Sequence, residues 1–382
     1  MAFQLNILSQ ILQEVNRYEF KNEVSKCKGD YKTHKVSCFS LLAIMIYAQL
    51  KNKKTLRDVV CSLKTLATGF FHLNIKSVAL STVADALAAR PAAIFEAYYY
   101  QLLKKFNRQE KRKFKNKLFL IDSTTISMCI EKFNWAKYKS TKGGIKLHVQ
   151  YDAEREVPHK VIISNAQVHD IKGIRKQLAF EAGVIYAYDR GYACYKYLFG
   201  IQQKKAYFVT RMKTNWTFTV SETKQITPHT NVLYDKIIEV TGAKGKDYPA
   251  PLRLIGFYHE ESKKKLYFLT NNFELPAEEI ADIYKTRWQI ELFFKWLKQH
   301  LKVKTFYSTS ANGVKIQIWS ALISYLLLQL IRTRLTIDFD LYEILRRIQD
   351  SLDKRLDLYE LIIQRTSPPK IEKSDQLELL YA

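Results

Sequence analysis

Between residues 118 and 210 the sequence alternates short apolar runs with amphipathic stretches, and this alternation restricts the fold more than any other feature. Residues 118–121, 184–188 and 206–210 each have the length and apolar content of a buried strand. Residues 195–205, between the last two, have the spacing of a helix. Strands that alternate with helices form a sheet covered on both faces, so the predicted fold class is α/β.

Two further segments add strands to this prediction. Residues 145–151 and 157–164 are predicted to pair through a polar turn at 152–156, and residues 171–180 suit a helix. From about residue 212 to residue 271 the chain has the pattern of strands and loops. The strands predicted there span residues 232–241, 252–258 and 265–269.

Helices are predicted in the first hundred residues. Residues 39–50 form a nearly all-apolar run that is long for a strand and typical of a buried helix. Helix starts are expected near Ser81 and at Pro91, where residues typical of helix N-termini occur.

Helices are also predicted after the strand-rich part. Pro276 opens a long helix that ends near Leu301. A strongly apolar helix follows at about residues 313–335, and an amphipathic helix at 341–363. The most apolar stretch, residues 316–331, contains two glutamines and is short for a membrane span, so it is predicted to be buried within the protein.

The charge is strongly positive, since 61 Lys and Arg residues face 37 Asp and Glu residues, a formal net charge of +24. Residues 336–382 carry seven basic and ten acidic side chains, so the excess lies in the first 335 residues. Such an excess repels itself unless a polyanion neutralises it, and nucleic acid is the commonest such partner. A ribosomal or membrane-surface protein would also be basic, so charge alone leaves those classes open.

The remaining composition favours a cytosolic protein. The five cysteines are scattered, without a paired CxxC spacing, which favours reduced thiols over disulfides or a zinc site. The first residues lack the cationic start and cleavage site of a secretory signal. The basic stretch from Lys104 to Lys117 is predicted to be either a solvated linker or a DNA-facing segment.

Two aspartates share one setting. Asp122 and Asp189 each follow a predicted apolar strand and precede small or turn-forming residues. Functional groups in open α/β sheets gather beyond strand ends, where side chains from neighbouring strands converge. Two carboxylates at such a place repel each other unless a cation lies between them, and oxygen ligands suit Mg²⁺ or Mn²⁺. The alternative is that each aspartate is only a turn or helix cap.

A third acid lies on the predicted helix after Pro276. Tyr284, Arg287, Glu291 and Lys298 project within about 60° of arc on this helix, and Lys295 lies on the same stripe. One acid among aromatic and cationic side chains is typical of a surface that binds phosphates and bases. The alternative is a solvated face with an Arg287–Glu291 ion pair. The opposite side carries six apolar residues predicted to be buried: Ile283, Ile290, Leu292, Phe294, Leu297 and Leu301.

These residues resemble the insertion-sequence-four family of bacterial DDE transposases. Tyr284, Arg287, Glu291 and Lys298, with two, three and six residues between them, match the Tyr-Arg-Glu-Lys signature of that family. Asp122-Ser123-Thr124 and Asp189-Arg190-Gly191-Tyr192 are similar to its two aspartate motifs. The resemblance extends over residues 1 to about 335 and includes Trp288, Ile290, Phe294, Lys295 and residues 55–58, 81–90, 146–148 and 166–170.

The resemblance implies a ribonuclease-H-like catalytic core with a mostly β insertion, preceded by an all-helical N-terminal domain and followed by a helical C-terminal region. The implied function is that of an insertion-sequence transposase, which binds terminal inverted repeats and catalyses Mg²⁺-dependent DNA cleavage and strand transfer. The domain boundaries expected on this basis are a DNA-binding domain at 1–105, a basic linker at 106–117, a catalytic domain at 118–335 with its insertion at 212–271, and an acidic tail at 336–382.

The resemblance also implies roles for single residues. Asp122, Asp189 and Glu291 would be the catalytic acids and would hold two Mg²⁺ ions, for which Mn²⁺ can substitute. Tyr284, Arg287, Lys295 and Lys298 would contact DNA. Trp216, in the predicted insertion, would stack on a flipped base, with a buried core tryptophan as the alternative. His148, His169 and Asp170 are predicted to be structural.

The expected partners are double-stranded DNA, as transposon ends and as target, and a second copy of the chain in a homodimer that pairs two ends. The expected location is the bacterial cytoplasm, without a membrane partner. Two alternatives stay open: a ribonuclease-H-like metal-dependent nuclease or resolvase without strand transfer, and a non-catalytic DNA-binding protein.

Overall fold

One mixed β-sheet runs through the computed structural model, which describes residues 5–65, 78–106, 114–168, 180–226, 228, 230–242, 245–335 and 339–363. Its strands are β1 (Leu118–Met128), β2 (Lys137–Lys139), β3 (Lys142–Asp152), β4 (Val157–Asn165), β5 (Ile185–Tyr188), β6 (Tyr207–Arg211), β7 (Phe218–Lys224), β8 (Val232–Val240), β9 (Leu252–His259) and β10 (Lys264–Thr270).

Helices precede, interrupt and follow this sheet, which confirms the predicted α/β class. In the described chain they are α1 (Ile7–Gln13), α2 (Arg17–Lys26), α3 (Cys38–Leu50), α4 (Leu56–Thr65), α5 (Leu80–Ala89), α6 (Ala92–Leu103), α7 (Tyr195–Gln203), α8 (Ala277–Thr286), α9 (Trp288–His300), α10 (Ala311–Leu335), α11 (Leu341–Ser351) and α12 (Leu358–Ile363).

The core of the sheet has the order β4-β3-β1-β5-β6. β1 pairs with β5, and β5 with β6, in parallel, whereas β3 is antiparallel to both β1 and β4. An antiparallel hairpin beside three parallel strands is the topology of a ribonuclease-H-like core. The predicted core is therefore confirmed.

The predicted β insertion continues this sheet. β10 pairs antiparallel with β6, and β9, β8 and β7 follow in that order. The three strands predicted there correspond to β8, β9 and β10. β7 was not predicted, because its side chains are mostly exposed and polar and give no apolar pattern. The insertion thus widens the catalytic sheet.

The prediction that β1 stops before Asp122 was wrong. β1 continues to Met128, and its antiparallel pairing with β3 extends to the Met128–Gly143 pair. Its parallel pairing with β5, however, ends at the Ile121–Tyr188 pair. Alternate residues after Asp122 are buried, which keeps the strand on the core although its apolar run has ended. Asp122 therefore lies at the end of one pairing and within another.

The single long helix predicted after Pro276 is divided at Arg287 into α8 and α9. The backbone N–H groups of Arg287 and Ile290 bond to carbonyls three residues earlier, on Tyr284 and Arg287, which is tighter than α-helical pairing. Leu292, which was grouped with the apolar side, is 48% exposed, whereas the other five residues of that group are buried. The grouping of Leu292 was wrong, because it lies two residues from Ile290 and from Phe294, about 200° around the helix from each.

Three of the N-terminal helices, α3, α5 and α6, pack against α10, and the buried side chains of the N-terminal helices belong to one hydrophobic core with those of α10 and β4. α2 and α3 begin at capping residues: the Asn16 side chain accepts from the N–H groups of Tyr18 and Glu19, and the Ser37 side chain accepts from Ser40 N. α3 and the helix start at Pro91 agree with the predictions.

Ala311–Leu335 is long and apolar enough to cross a membrane, but 94% of its apolar window is buried within the protein. The prediction of a buried helix is confirmed. The single amphipathic helix predicted at 341–363 was wrong, because α11 ends at Ser351 and α12 begins at Leu358. Some predictions lie outside the described residues: the helix at 171–180 except for Phe180, the roles of His169 and Asp170, and residues 107–113 of the basic stretch.

Candidate active site

Asp122 and Asp189 are placed side by side by the register of two parallel strands. The last pair that β1 and β5 form is Ile121 with Tyr188, and each aspartate is the next residue. Neighbouring strands lie about 5 Å apart, and residues in register point to the same face of the sheet. Asp189 leaves β5 into a short turn at Arg190–Tyr192. The predicted convergence of the two aspartates follows from this register.

Glu291 reaches the same place from α9, which packs against β1. The guanidinium group of Arg287 links the elements: its Nη2 lies 2.7 Å from Glu291 Oε1, and its Nη1 lies 4.0 Å from Asp122 Oδ2. The three acids that sequence analysis singled out therefore belong to one neighbourhood, with Arg287 between two of them. That position of Arg287 was not predicted.

The pKa of Asp122 reflects its burial and its charged neighbours. Burial is the main cause that raises the pKa of its carboxyl to about 6. The Ser123 N–H, which donates to Asp122 Oδ1 at 2.7 Å, and Arg287 act in the opposite direction. Glu291 and Asp189 raise the pKa further because their negative charges are close. Burial first, and the two neighbouring acids second, therefore favour the protonated form of Asp122.

The donor chemistry fits hard divalent cations, because three carboxylates supply only oxygen ligands. Within the described residues, however, no three acidic, histidine or cysteine side chains are close enough to form a ready metal shell. Arg287 supplies positive charge between Asp122 and Glu291 in this state. The residues thus suit Mg²⁺ or Mn²⁺ in charge and donor type, provided that Arg287 moves away.

Tyr284 packs beside the guanidinium group of Arg287. Its side chain is buried, and its ring packs on Phe268 with ring centroids 4.9 Å apart. The Arg287 guanidinium lies 5.4 Å from the centre of the Tyr284 ring. Burial raises the pKa of the Tyr284 hydroxyl, which keeps it protonated. Tyr284 is placed to orient Arg287, and its predicted contact with DNA stays a prediction.

The two lysines of the stripe differ. Lys298 Nζ donates to the carbonyl oxygen of Thr125 at 3.0 Å, three residues beyond Asp122 on β1. Burial, and then the charge of Lys304, lower the pKa of Lys298. Lys295 is exposed on α9. Lys304 was not predicted as a site residue. The two lysines that closely follow the helix, Lys302 and Lys304, are the signal that could have indicated a basic surface there.

Trp216 is half-buried, and its ring packs against the Tyr195 ring with centroids 4.0 Å apart and the planes tilted by 36°. This packing favours the alternative of a core tryptophan over base stacking. His148 is buried on β3, where its Nε2 lies 3.0 Å from Ser164 Oγ. That contact agrees with the structural role expected for His148.

A cavity of about 730 Å³ lies beside Arg287, between the insertion strands and the helices α8 and α9. Its lining includes Tyr258, Phe268, Tyr284, Arg287, Trp288 and Leu292. Trp288 and Leu292 are both about half exposed and lie one turn apart on α9. This cavity was not predicted, because its lining comes from strands and helices that are distant in sequence.

A family model described as "Transposase DDE domain" matches residues 113–327. A second model, described as "Domain of unknown function (DUF4372)", matches residues 4–76. The first match covers every strand of the sheet together with α7, α8 and α9. All three candidate acids lie within it.

Curated relatives carry related names. "Putative transposase y4zB" of Sinorhizobium fredii is 36% identical over 255 residues, which cover 65% of this chain and 70% of that protein. "Probable transposase for insertion sequence element IS5377" of Geobacillus stearothermophilus is 29% identical, with 65% and 66% covered. "Putative transposase for insertion sequence element IS4SA" of Synechocystis is 28% identical, with 69% and 75% covered.

Among solved structures, a cryo-EM structure of a piggyBac transposase synaptic complex with hairpin DNA is similar, with a TM-score of 0.46 and 10% sequence identity. The alignment covers 95% of this chain and 80% of that chain.

Proposed function

We propose that this chain, which belongs to the family of DDE transposase domains, binds the terminal inverted repeats of its insertion sequence and catalyses Mg²⁺-dependent cleavage and strand transfer. It is a transposase of an insertion sequence. The observation that carries the finer proposal is that Asp122 and Asp189, at the end of two paired strands, lie in one neighbourhood with Glu291 of α9. Burial, and then the charges of Glu291 and Asp189, raise the pKa of Asp122 there.

We assign metal binding to these three acids. Two bound Mg²⁺ ions, or Mn²⁺ in their place, would increase the acidity of an attacking water or DNA 3′-hydroxyl and stabilise the leaving oxygen. Asp122 and Asp189 are held by the paired strands β1 and β5, so their carboxylates need little rearrangement. Glu291 is free to turn towards them once its ion pair with Arg287 is broken.

Arg287 and Lys298 would orient the DNA. A guanidinium group can bind two phosphate oxygens at once, so a phosphate can replace the carboxylates that Arg287 contacts here. Lys298 is fixed by its bond to Thr125 O, which holds its charge beside β1 beyond Asp122. Tyr284 supports Arg287, and Lys295 adds an exposed charge on the same helix. For Trp216 to stack on a flipped base, its ring would leave the Tyr195 ring that it packs against here.

The helical residues 1–105 would form the DNA-binding domain, joined by a basic linker at 106–117 to the catalytic residues 118–335. The outward face of α2 supports this assignment. It presents Tyr18, Lys21 and Lys26, all exposed, while Phe20 and Val24 on the other face are buried. Arg17, on the side of Val24, is also exposed and lies over the Phe39 ring, and Lys26 pairs with Glu23 at 2.8 Å. Cations interleaved with an aromatic side chain suit a phosphate backbone. We propose no role for the acidic tail at 336–382.

The proposed assembly is a homodimer that pairs two transposon ends in the cytoplasm of a bacterial cell. A strand-transfer assay tests the chemistry. Purified protein with Mg²⁺ should join pre-cut transposon ends to target DNA, and Asp122→Asn should abolish joining. Cleavage without joining would favour a nuclease or resolvase, and duplex binding without either reaction would favour a non-catalytic DNA-binding protein.

A further inference from the structure

Lysines are concentrated on two segments that lie beyond Asp122 along β1. Residues 129–142 contain Lys132, Lys137, Lys139 and Lys142 with one acid, Glu131, and residues 301–310 contain Lys302 and Lys304 with no acid. The three lysines at 137, 139 and 142 are exposed on the β2–β3 hairpin. Neither segment belongs to the signature that identifies the family.

Direct contacts join the two segments into one surface. Trp135 Nε1 donates to Thr309 O at 2.7 Å, and the rings of Phe133 and Phe306 lie 6.0 Å apart. Residues 301–310 are themselves fixed to the N-terminal helices, since the Tyr307 hydroxyl donates to Lys53 O at 2.6 Å. The lysines are thus carried on a supported surface.

Several lysines of these segments lie close to another lysine. Lys139 and Lys142 are directly opposite each other where β2 pairs with β3, an arrangement that costs stability unless an anion offsets it. Lys304 lowers the pKa of Lys298, after burial, and Lys54 lowers that of Lys302 in the same way. These positive charges would be stabilised by a shared polyanion.

The surface also has a direction. It begins at Lys298, which is bound to Thr125 on β1, and ends at the hairpin, where Met128 pairs with Gly143. From Asp122 to Met128 a strand rises roughly 20 Å, at about 3.3 Å per residue. Phosphates of one DNA strand are about 3.4 Å apart along the helix axis, so this length matches roughly six base pairs.

We propose that this lysine track, defined as Lys298, Lys302, Lys304, Lys137, Lys139 and Lys142, binds the backbone of duplex DNA next to the bond being cut. The inference rests on the proposed function, because it assumes that DNA is cut at the acids 122, 189 and 291, next to one end of the lysine track. It adds a sequence-independent contact surface that reaches from the catalytic sheet to the N-terminal helices.

The test compares two triple variants with the same loss of charge. Lys137, Lys139 and Lys142 are changed together to Gln, and in the control the exposed Lys263, Lys264 and Lys265 of the β9–β10 hairpin are changed to Gln. Binding of a fluorescently labelled blunt duplex is measured by anisotropy over a range of KCl concentrations. The measured quantity is the slope of the logarithm of the binding constant against the logarithm of the KCl concentration. We expect the magnitude of this slope to decrease by about three for the track variant and to stay unchanged for the control.

A third variant, with the three track lysines changed to Arg, should restore the slope, which separates lost charge from a damaged hairpin. Equal slopes for the track variant and wild type would overturn the proposal. So would a loss confined to single-stranded DNA. If wild-type protein bound no duplex, the proposed function itself would fail, whereas duplex binding and cleavage with an unchanged track-variant slope would remove only this inference.

Discussion

Two arginines of this protein each contact acidic side chains, but in different ways. Arg253 is buried, and its Nε and Nη2 donate to both carboxylate oxygens of Asp235, at 2.9 and 2.7 Å. Its Nη1 donates to the carbonyls of Asn272 and Leu275. Arg287 makes one close contact, with Glu291, and a 4.0 Å contact with Asp122, while its buried Nε has no hydrogen-bond partner within the described chain.

The difference separates a structural ion pair from an exchangeable one. The donors of Arg253 are shared between one acid and the loop that leads into α8, so any change leaves buried charge unpaired. Arg287 is incompletely satisfied beside acids that repel one another. A divalent cation can replace Arg287 at the acids, and a DNA phosphate can replace the acids at Arg287. The four predictions below would break or sharpen this contrast.

The largest effect is expected on chemistry at the Arg287 site. Asp122→Asn should lower Mg²⁺-dependent cleavage of transposon-end DNA by about a thousandfold or more, because a lost metal ligand removes several kcal/mol of transition-state stabilisation. Single-turnover cleavage of a labelled end measures this. Duplex binding at matched salt should persist as the control. Cleavage at the wild-type rate would remove Asp122 from the catalytic set.

The next largest effect is expected on stability at the Arg253 site. Arg253→Met should lower the free energy of unfolding by about 3–5 kcal/mol, because Asp235 is left buried without its partner. Urea unfolding measures the change. Arg287→Met, the matched change at the other site, should cost no more than about 1 kcal/mol, since its acids are partly exposed. Equal losses would erase the contrast between the two arginines.

A pH dependence should belong to Asp122. Its pKa is raised from 3.8 to about 6, so the folded protein holds this proton more tightly than the unfolded chain does. The carboxyl therefore favours folding most below about pH 4, and that contribution is lost as the pH rises through about 6. In EDTA, wild type should lose about 2–3 kcal/mol relative to Asp122→Asn between about pH 4 and pH 7. If wild type and Asp122→Asn differed by the same unfolding free energy at both pH values, the raised pKa would be contradicted.

The smallest effect concerns metal affinity without DNA. Arg287→Ala should tighten Mn²⁺ binding by about tenfold, or about 1.4 kcal/mol, because a competing cation is removed from between two acids. Electron paramagnetic resonance of free Mn²⁺ measures the affinity. Lys295→Ala, one exposed lysine further along α9, is the control and should leave the affinity unchanged. Weaker Mn²⁺ binding by Arg287→Ala would show that Arg287 assists metal binding.

Local pattern was sufficient to predict much of this molecule. The apolar runs before Asp122 and Asp189 located two strands, because buried strands in such sheets are apolar on both faces. The structure shows that these strands are neighbours and parallel. Helical spacing placed Ile283, Ile290 and Leu297 in the core, where all three are fully buried. Helical spacing also placed Glu291 on one stripe with Tyr284, Arg287 and Lys298, which identified it as the third candidate acid.

Features that depend on contacts between distant segments could not be predicted in this way. β1 continues past Asp122 because β3 pairs with it there, although the sequence of β1 is no longer continuously apolar. The division of the helix at Arg287 could not be predicted either, because the apolar spacing continues from Ile283 to Ile290 across it. The place of Arg287 between Asp122 and Glu291 depends on how α9 packs against β1.

The central claim is that Asp122, Asp189 and Glu291 share one metal site, and Fe²⁺ substituted for Mg²⁺ can test it directly. With ascorbate and peroxide, the bound iron generates hydroxyl radicals that cut the nearby backbone, and mass spectrometry locates the cuts. We predict cuts next to all three acids in wild-type protein bound to duplex DNA, and their joint loss in Asp122→Asn. Cuts beside only one acid, or cuts that persist in Asp122→Asn, would contradict a shared site.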